Sequence, residues 1–94
     1  MPVGILNLDL YIPGCASLKE KRGHLKPLLA RLHREFNISA AEVSLQDKWQ
    51  SAAITCAIVS NDAVHNQRVF QQVINYIEKT WPDIHMIDQN METC

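Results

Sequence analysis

The stretch Ala41–Val59, AEVSLQDKWQSAAITCAIV, decides the architecture. Ala41, Val43 and Leu45 alternate with Glu42, Ser44 and Gln46, the period of two that marks a half-buried strand. Gln50 to Val59 is a second run, richer in apolar residues and so more deeply buried. Only Asp47-Lys48-Trp49 lies between them. So short a connection demands an antiparallel hairpin, because parallel neighbours need a long crossover.

Upstream, Val3 to Ile12 alternates too, with Leu6, Leu8, Leu10 and Ile12 on one side and Ile5, Asn7, Asp9 and Tyr11 on the other. Pro13 and Gly14 stop that strand. Ser17-Leu18-Lys19-Glu20 then has the S-x-x-E spacing in which a Ser and a Glu side chain satisfy free backbone donors at a helix start. A helix is expected from Ser17, with Leu18, Leu25, Leu28, Leu29, Leu32 and Phe36 in an apolar sector about 100° wide. Pro27 opposes the carbonyl of Gly23 and removes one hydrogen bond, which predicts a kink near Gly23; Asn37 suits the helix end.

Downstream, Ser60-Asn61-Asp62 supplies capping residue types before a second helix marked by Val69, Phe70, Val73, Ile74, Ile77 and Trp81 and closed by Pro82. Ile84 to Ile87 reads as a final short strand, and residues 90–94 as a loose C-terminal tail. The order is βαββαβ. Right-handed crossovers place both helices on one face of a four-stranded antiparallel sheet, a single ferredoxin-like α+β domain over residues 1–89.

Composition agrees with one folded domain: 94 residues, 47% apolar and 20% charged, enough for one core and too small for two. No apolar run approaches the roughly 18 residues of a membrane span, and the amino terminus lacks a basic region followed by an apolar stretch and a cleavage site. The expectation is a cytoplasmic protein with no membrane partner. Cys15, Cys56 and Cys94 are odd in number with no short spacing, so reduced thiols are expected and neither a disulfide framework nor a metal is. Cys56 reads as a core residue and Cys94 as a mobile end. Cys15, beside a helix start, has no sequence partner that would make it a nucleophile.

The run Ser17-Leu18-Lys19-Glu20-Lys21-Arg22, then Ala41-Glu42-Val43, Gln46-Asp47 with Trp49-Gln50, and Val59-Ser60-Asn61-Asp62 resembles the YlxP-like family of small bacterial proteins across nearly the whole chain. The resemblance implies the same ferredoxin-like fold. Members are of unknown function, often encoded beside translation initiation and ribosome maturation genes, which implies an association with RNA or ribosomes. Cys15, Gly23 and His24 depart from the family pattern.

Charge gives the site. Residues 17–36 carry Lys19, Lys21, Arg22, Lys26, Arg31 and Arg34 against Glu20 and Glu35, leaving +4 in a chain whose total is −1. Lys19, Arg22, Lys26 and His33 stand at i, i+3, i+7 and i+14 with Arg34 nearby, a basic stripe running about 20 Å along the helix. Such a stripe suits the phosphates of ribosomal or other structured RNA, and the helix start adds donors by which Ser17, Lys19 and Arg22 would hold one phosphate. The bland reading is that these cations solvate a helix and shield its Leu residues with their stems.

Gln46, Asp47, Trp49 and Gln50 form a second candidate surface near the hairpin turn. Trp49 is suited to stacking on a base, but plugging the end of the core is the preferred expectation. On the opposite face of the third strand, Ala53, Thr55 and Ala57 make poor base platforms and fit homodimer packing about as well, the alternative to RNA binding. Nothing points to catalysis: phosphate-loop, dinucleotide and zinc motifs are missing, His24, His33, His65 and His85 are scattered, and Asp9 with Glu42 on an open sheet face would ordinarily be solvated. The expectation is a non-enzymatic binding protein without a cofactor.

Overall fold

Alternation at the amino end makes β1 (Val3–Tyr11), which buries Leu6, Leu8 and Leu10 and leaves Asp9 exposed. A computed structural model of the chain describes residues 2–44 and 48–94. After β1 come α1 (Leu18–Phe36), β2 (Ser39–Ser44), β3 (Ser51–Val59), α2 (Ala63–Thr80) and β4 (His85–Thr93). The sheet order is β2-β3-β1-β4 with every neighbouring pair antiparallel, so the fold is ferredoxin-like α+β. One face of the sheet and the inner sides of both helices share a single core that includes Leu6, Leu8, Leu10, Leu28, Leu32, Ile54, Phe70 and Ile77.

The helix boundaries follow from local hydrogen bonding. Ser17 is the N-cap of α1: its hydroxyl oxygen accepts from the Glu20 amide at 3.1 Å. The Glu20 carboxylate accepts in return from the Ala16 amide at 3.1 Å, one residue before the position a capping box usually serves. Asn37 closes α1 in the left-handed conformation that suits a C-terminal cap. Pro27 lies inside α1 on its exposed side, where water can satisfy the Gly23 carbonyl that has lost its donor. Asp62 caps α2 by accepting from the Val64 amide, and the Ser60 hydroxyl bonds the buried Asn66 side chain at 2.7 Å.

Three expectations need correction. The strand expected over Ile84–Ile87 runs from His85 to Thr93, and residues 90–94 are not a loose tail: Asn90 to Thr93 pair with β1, and Val3 and Cys94 exchange backbone hydrogen bonds at 2.8 and 3.2 Å. Asp88-Gln89-Asn90 carries no apolar alternation because this edge strand is mostly exposed, so the periodic signal that identifies strands is missing. β2 is turned over relative to the apolar reading. Ala40 packs toward the core and Glu42 points the same way, while Val43 is exposed. Glu42 is therefore not on the open sheet face with Asp9.

Close packing at one crossing yields a prediction. A Cβ placed on Gly4 in β1 would lie 2.9 Å from Phe70 Cε2, 3.0 Å from Ile58 Cγ2 and 3.1 Å from Asn66 Cβ. All three belong to packed side chains of α2 and β3, so Gly4→Ala should cost about 1–3 kcal/mol through overpacking. Urea denaturation of the variant checks this; a loss below about 0.5 kcal/mol would show that α2 shifts freely at this point.

Candidate functional site: the outer face of helix α1

The inner side of α1 explains what its outer side has left. Leu18, Lys21, Leu25, Leu28 and Leu32 follow the 3-4 spacing of a helix face turned to the core, and Lys21 is as buried as the leucines, at 1% exposure. Its Nζ meets Glu42 Oε2 at 2.8 Å and donates to the Ser51 carbonyl at 3.1 Å. Sequence reasoning counted Lys21 with the basic charge and missed this role. The available signal was its place in the leucine spacing.

The other cations divide cleanly. Arg31 turns toward α2, donating to the Tyr76 hydroxyl at 3.4 Å and lying 5.9 Å from the Trp81 ring centre. His33 Nε2 sits 3.1 Å from the Ala40 amide and 3.0 Å from its carbonyl, so the ring is docked on the backbone of edge strand β2. Arg34 makes an exposed pair with Glu35 at 3.5 Å, an arrangement worth little in water. Lys19, Arg22 and Lys26 are exposed, and among the described residues their side chains make no ion pair or hydrogen bond. They cover about 10 Å of the helix axis. The stripe proposed from spacing thus contracts to its amino-terminal half, with Arg34 a loosely held neighbour and His33 engaged elsewhere.

Ser17 stands at the head of this face, but its hydroxyl oxygen serves the helix cap, and the Glu20 carboxylate already occupies the positive pole of α1. An anion is therefore met by the exposed stripe more favourably than by the helix end.

Of the second candidate surface, Gln46 and Asp47 lie outside the described residues. Trp49 does not plug the core. It is 54% exposed, beside exposed Lys48 and Gln50, and the three line an open groove of about 380 Å³ with Ser51. The core residues beside this segment are Ile12 and Cys15, whose backbones bond to Gln50. Cys15 is buried and its thiol donates to the Ser17 carbonyl at 3.4 Å, so it is a packing residue.

The open sheet face is mixed, with exposed Val43 and Val59 beside polar groups. Thr55 donates to the Asn7 side chain at 2.8 Å, Asn7 in turn reaches Glu92 at 3.4 Å, and Asp9 stands opposite Asp88 across the β1–β4 pair. Carboxylates thus line one margin, and Ala53, Thr55 and Ala57 line the centre, with no aromatic platform on β3. His24 and His85 do share a cleft of about 480 Å³ with Glu20 and Asp83. Among the described residues no three His, Cys, Asp or Glu side chains are placed to hold a metal ion. No helix there is long and apolar enough to cross a membrane.

These features define a small ferredoxin-like α+β protein whose first helix sends one lysine into the core and presents three cations outward. The family model described as "Protein of unknown function (DUF503)" matches residues 3–91, and the chain belongs to that family. The uncharacterized protein YlxP of Bacillus subtilis (strain 168) is 35% identical over 82 residues, 87% of this chain and 88% of its own. Among solved structures, the de novo designed protein Foldit4 superposes with a TM-score of 0.56 at 12% identity, covering all of this chain and 97% of its own. That likeness concerns the fold alone.

Proposed function

We propose that this protein is a non-enzymatic cytoplasmic accessory factor that binds ribosomal or other structured RNA, its Lys19, Arg22 and Lys26 meeting backbone phosphates and Arg34 joining from the next turns. One observation carries the reading: Lys21 faces the core and Arg31 turns to α2, whereas Lys19, Arg22 and Lys26 share one exposed face with no partner among the described residues. Cations that only solvated the helix would not need to segregate so. The acidic margin of the open sheet supports the same orientation, because Asp9, Asp88 and Glu92 repel a polyanion from the face that the common RNA-recognition fold uses. The alternative is a homodimer through that sheet face, where exposed Val43 and Val59 stand beside the polar and carboxylate side chains.

The test is binding to ribosomal subunits and to structured RNA across a salt series, with wild type beside Lys19→Gln/Arg22→Gln/Lys26→Gln. Gln keeps helix propensity, so the fold should be unaffected. Each lost phosphate contact should lower the log–log salt slope by about 0.7–0.9, and affinity at low salt should fall roughly 10- to 100-fold. Unchanged affinity in the folded triple variant would reject this surface.

A further inference from the structure

We propose that Trp49, flanked by Lys48, is a stacking platform for an unpaired RNA base beside the cationic face of α1. The inference rests on that face meeting RNA phosphates, and it names the class of RNA bound: one with an unstacked base in a loop, bulge or single-stranded end.

An indole left 54% exposed in a folded domain calls for a reason in the chain around it. The backbone supplies one. Gln50, the next residue, accepts from the Ile12 amide at 2.8 Å and donates from its side chain to the Cys15 carbonyl at 3.4 Å. Ser51 is held by the buried Lys21 ammonium. The segment that carries Trp49 is therefore fastened to the end of β1 and to the opening of α1, the element that bears Lys19 and Arg22. Backbone anchored on the C-terminal side of Trp49 limits how far the indole can move, which favours a stacking surface.

The neighbours select the partner. An exposed tryptophan that anchors a protein interface is ordinarily ringed by apolar contacts that exclude water. Among the described residues, those beside the indole here are Lys48, Gln50 and Ser51, a cation and two hydrogen-bonding side chains. A base stacked on the indole would leave its phosphate within reach of Lys48, and stacking tolerates any base.

The experiment compares wild type, Trp49→Ala, Trp49→Phe and the Lys19/Arg22/Lys26 triple variant against two RNAs of equal phosphate number, a hairpin with an unpaired loop and a fully paired duplex. Trp49→Ala should weaken hairpin binding roughly 10- to 100-fold with little change in salt slope, leave duplex binding unaltered, and be largely rescued by Trp49→Phe. The triple variant should lose affinity for both RNAs with a shallower slope. Hairpin binding untouched by Trp49→Ala, while the triple variant still loses both, would overturn the platform and leave the phosphate surface standing. If neither RNA binds wild type, both readings fall. Trp49→Ala abolishing self-association instead of RNA binding would assign the indole to a protein interface and overturn the platform as well.

Discussion

Lys21→Met is expected to lower the unfolding free energy by about 3–5 kcal/mol, the largest loss from any single charged residue in the chain. The ammonium is buried, at 2.8 Å from Glu42 and 3.1 Å from the Ser51 carbonyl. Removing it leaves the carboxylate of Glu42, itself only 16% exposed, facing a methionine in place of its counter-ion. The pair also joins α1 to edge strand β2 and to the start of β3, so its loss loosens the hairpin as well as the helix. A double variant separates the two contributions. Lys21→Met with Glu42→Leu removes both charges and should recover most of the stability, since hydrophobic replacements of buried pairs are often neutral. Denaturation midpoints of the four proteins give the coupling energy directly. A coupling below about 0.5 kcal/mol would mean that the two groups do not depend on each other. Lys21→Arg is not a safe control, because a planar guanidinium must enter a slot shaped for an unbranched chain.

The second large effect appears in alkali. Burial in the core pushes the Cys56 thiol up from 9.0 to about 12, because the thiolate has no solvation there. In the unfolded chain the thiol loses its proton near its ordinary value, while in the folded chain it keeps it. The stabilising contribution is therefore complete below pH 9 and declines as the pH rises from 9 toward 12. The slope is about 1.4 kcal/mol per pH unit, bounded at about 4 kcal/mol over the whole window. Other groups titrate in the same range, so the test is a difference: the stability of wild type should fall more steeply with pH than that of Cys56→Ala between pH 9 and 11. Parallel curves would show that the thiol does not contribute. The same burial predicts a reactivity order at neutral pH, in which a thiol reagent labels exposed Cys94 quickly and labels Cys15 and Cys56 only on unfolding.

Much of the fold was legible because its signals are local. The Ser17–Glu20 cap, the alternation of Leu6, Leu8 and Leu10, and the brief link between β2 and β3 each operate within a few residues. Once these are in order, handedness leaves one arrangement of the sheet. β4 escaped because an edge strand with few buried residues shows no period, although its backbone pairs with β1 from His85 to Thr93. The candidate site was legible as charge and not as geometry. Spacing placed Lys19, Arg22, Lys26 and His33 in one stripe and left Arg31 out of it, but it could not separate off His33, whose partner Ala40 comes from another element.

By itself, then, the amino-acid sequence determined the order of elements, the helix caps, the apolar core and the concentration of positive charge on the first helix. Those properties depend on neighbours in the chain. Only the tertiary structure decided that Lys21 and Glu42 meet inside, that β2 therefore presents Val43 to solvent, and that Trp49 stands exposed. The physical reason is the same in each case. A charged or aromatic side chain takes its place according to a partner, and the partners here, residue 42 for residue 21 and residues 12 and 15 for the segment carrying Trp49, are supplied by folding and not by sequence proximity.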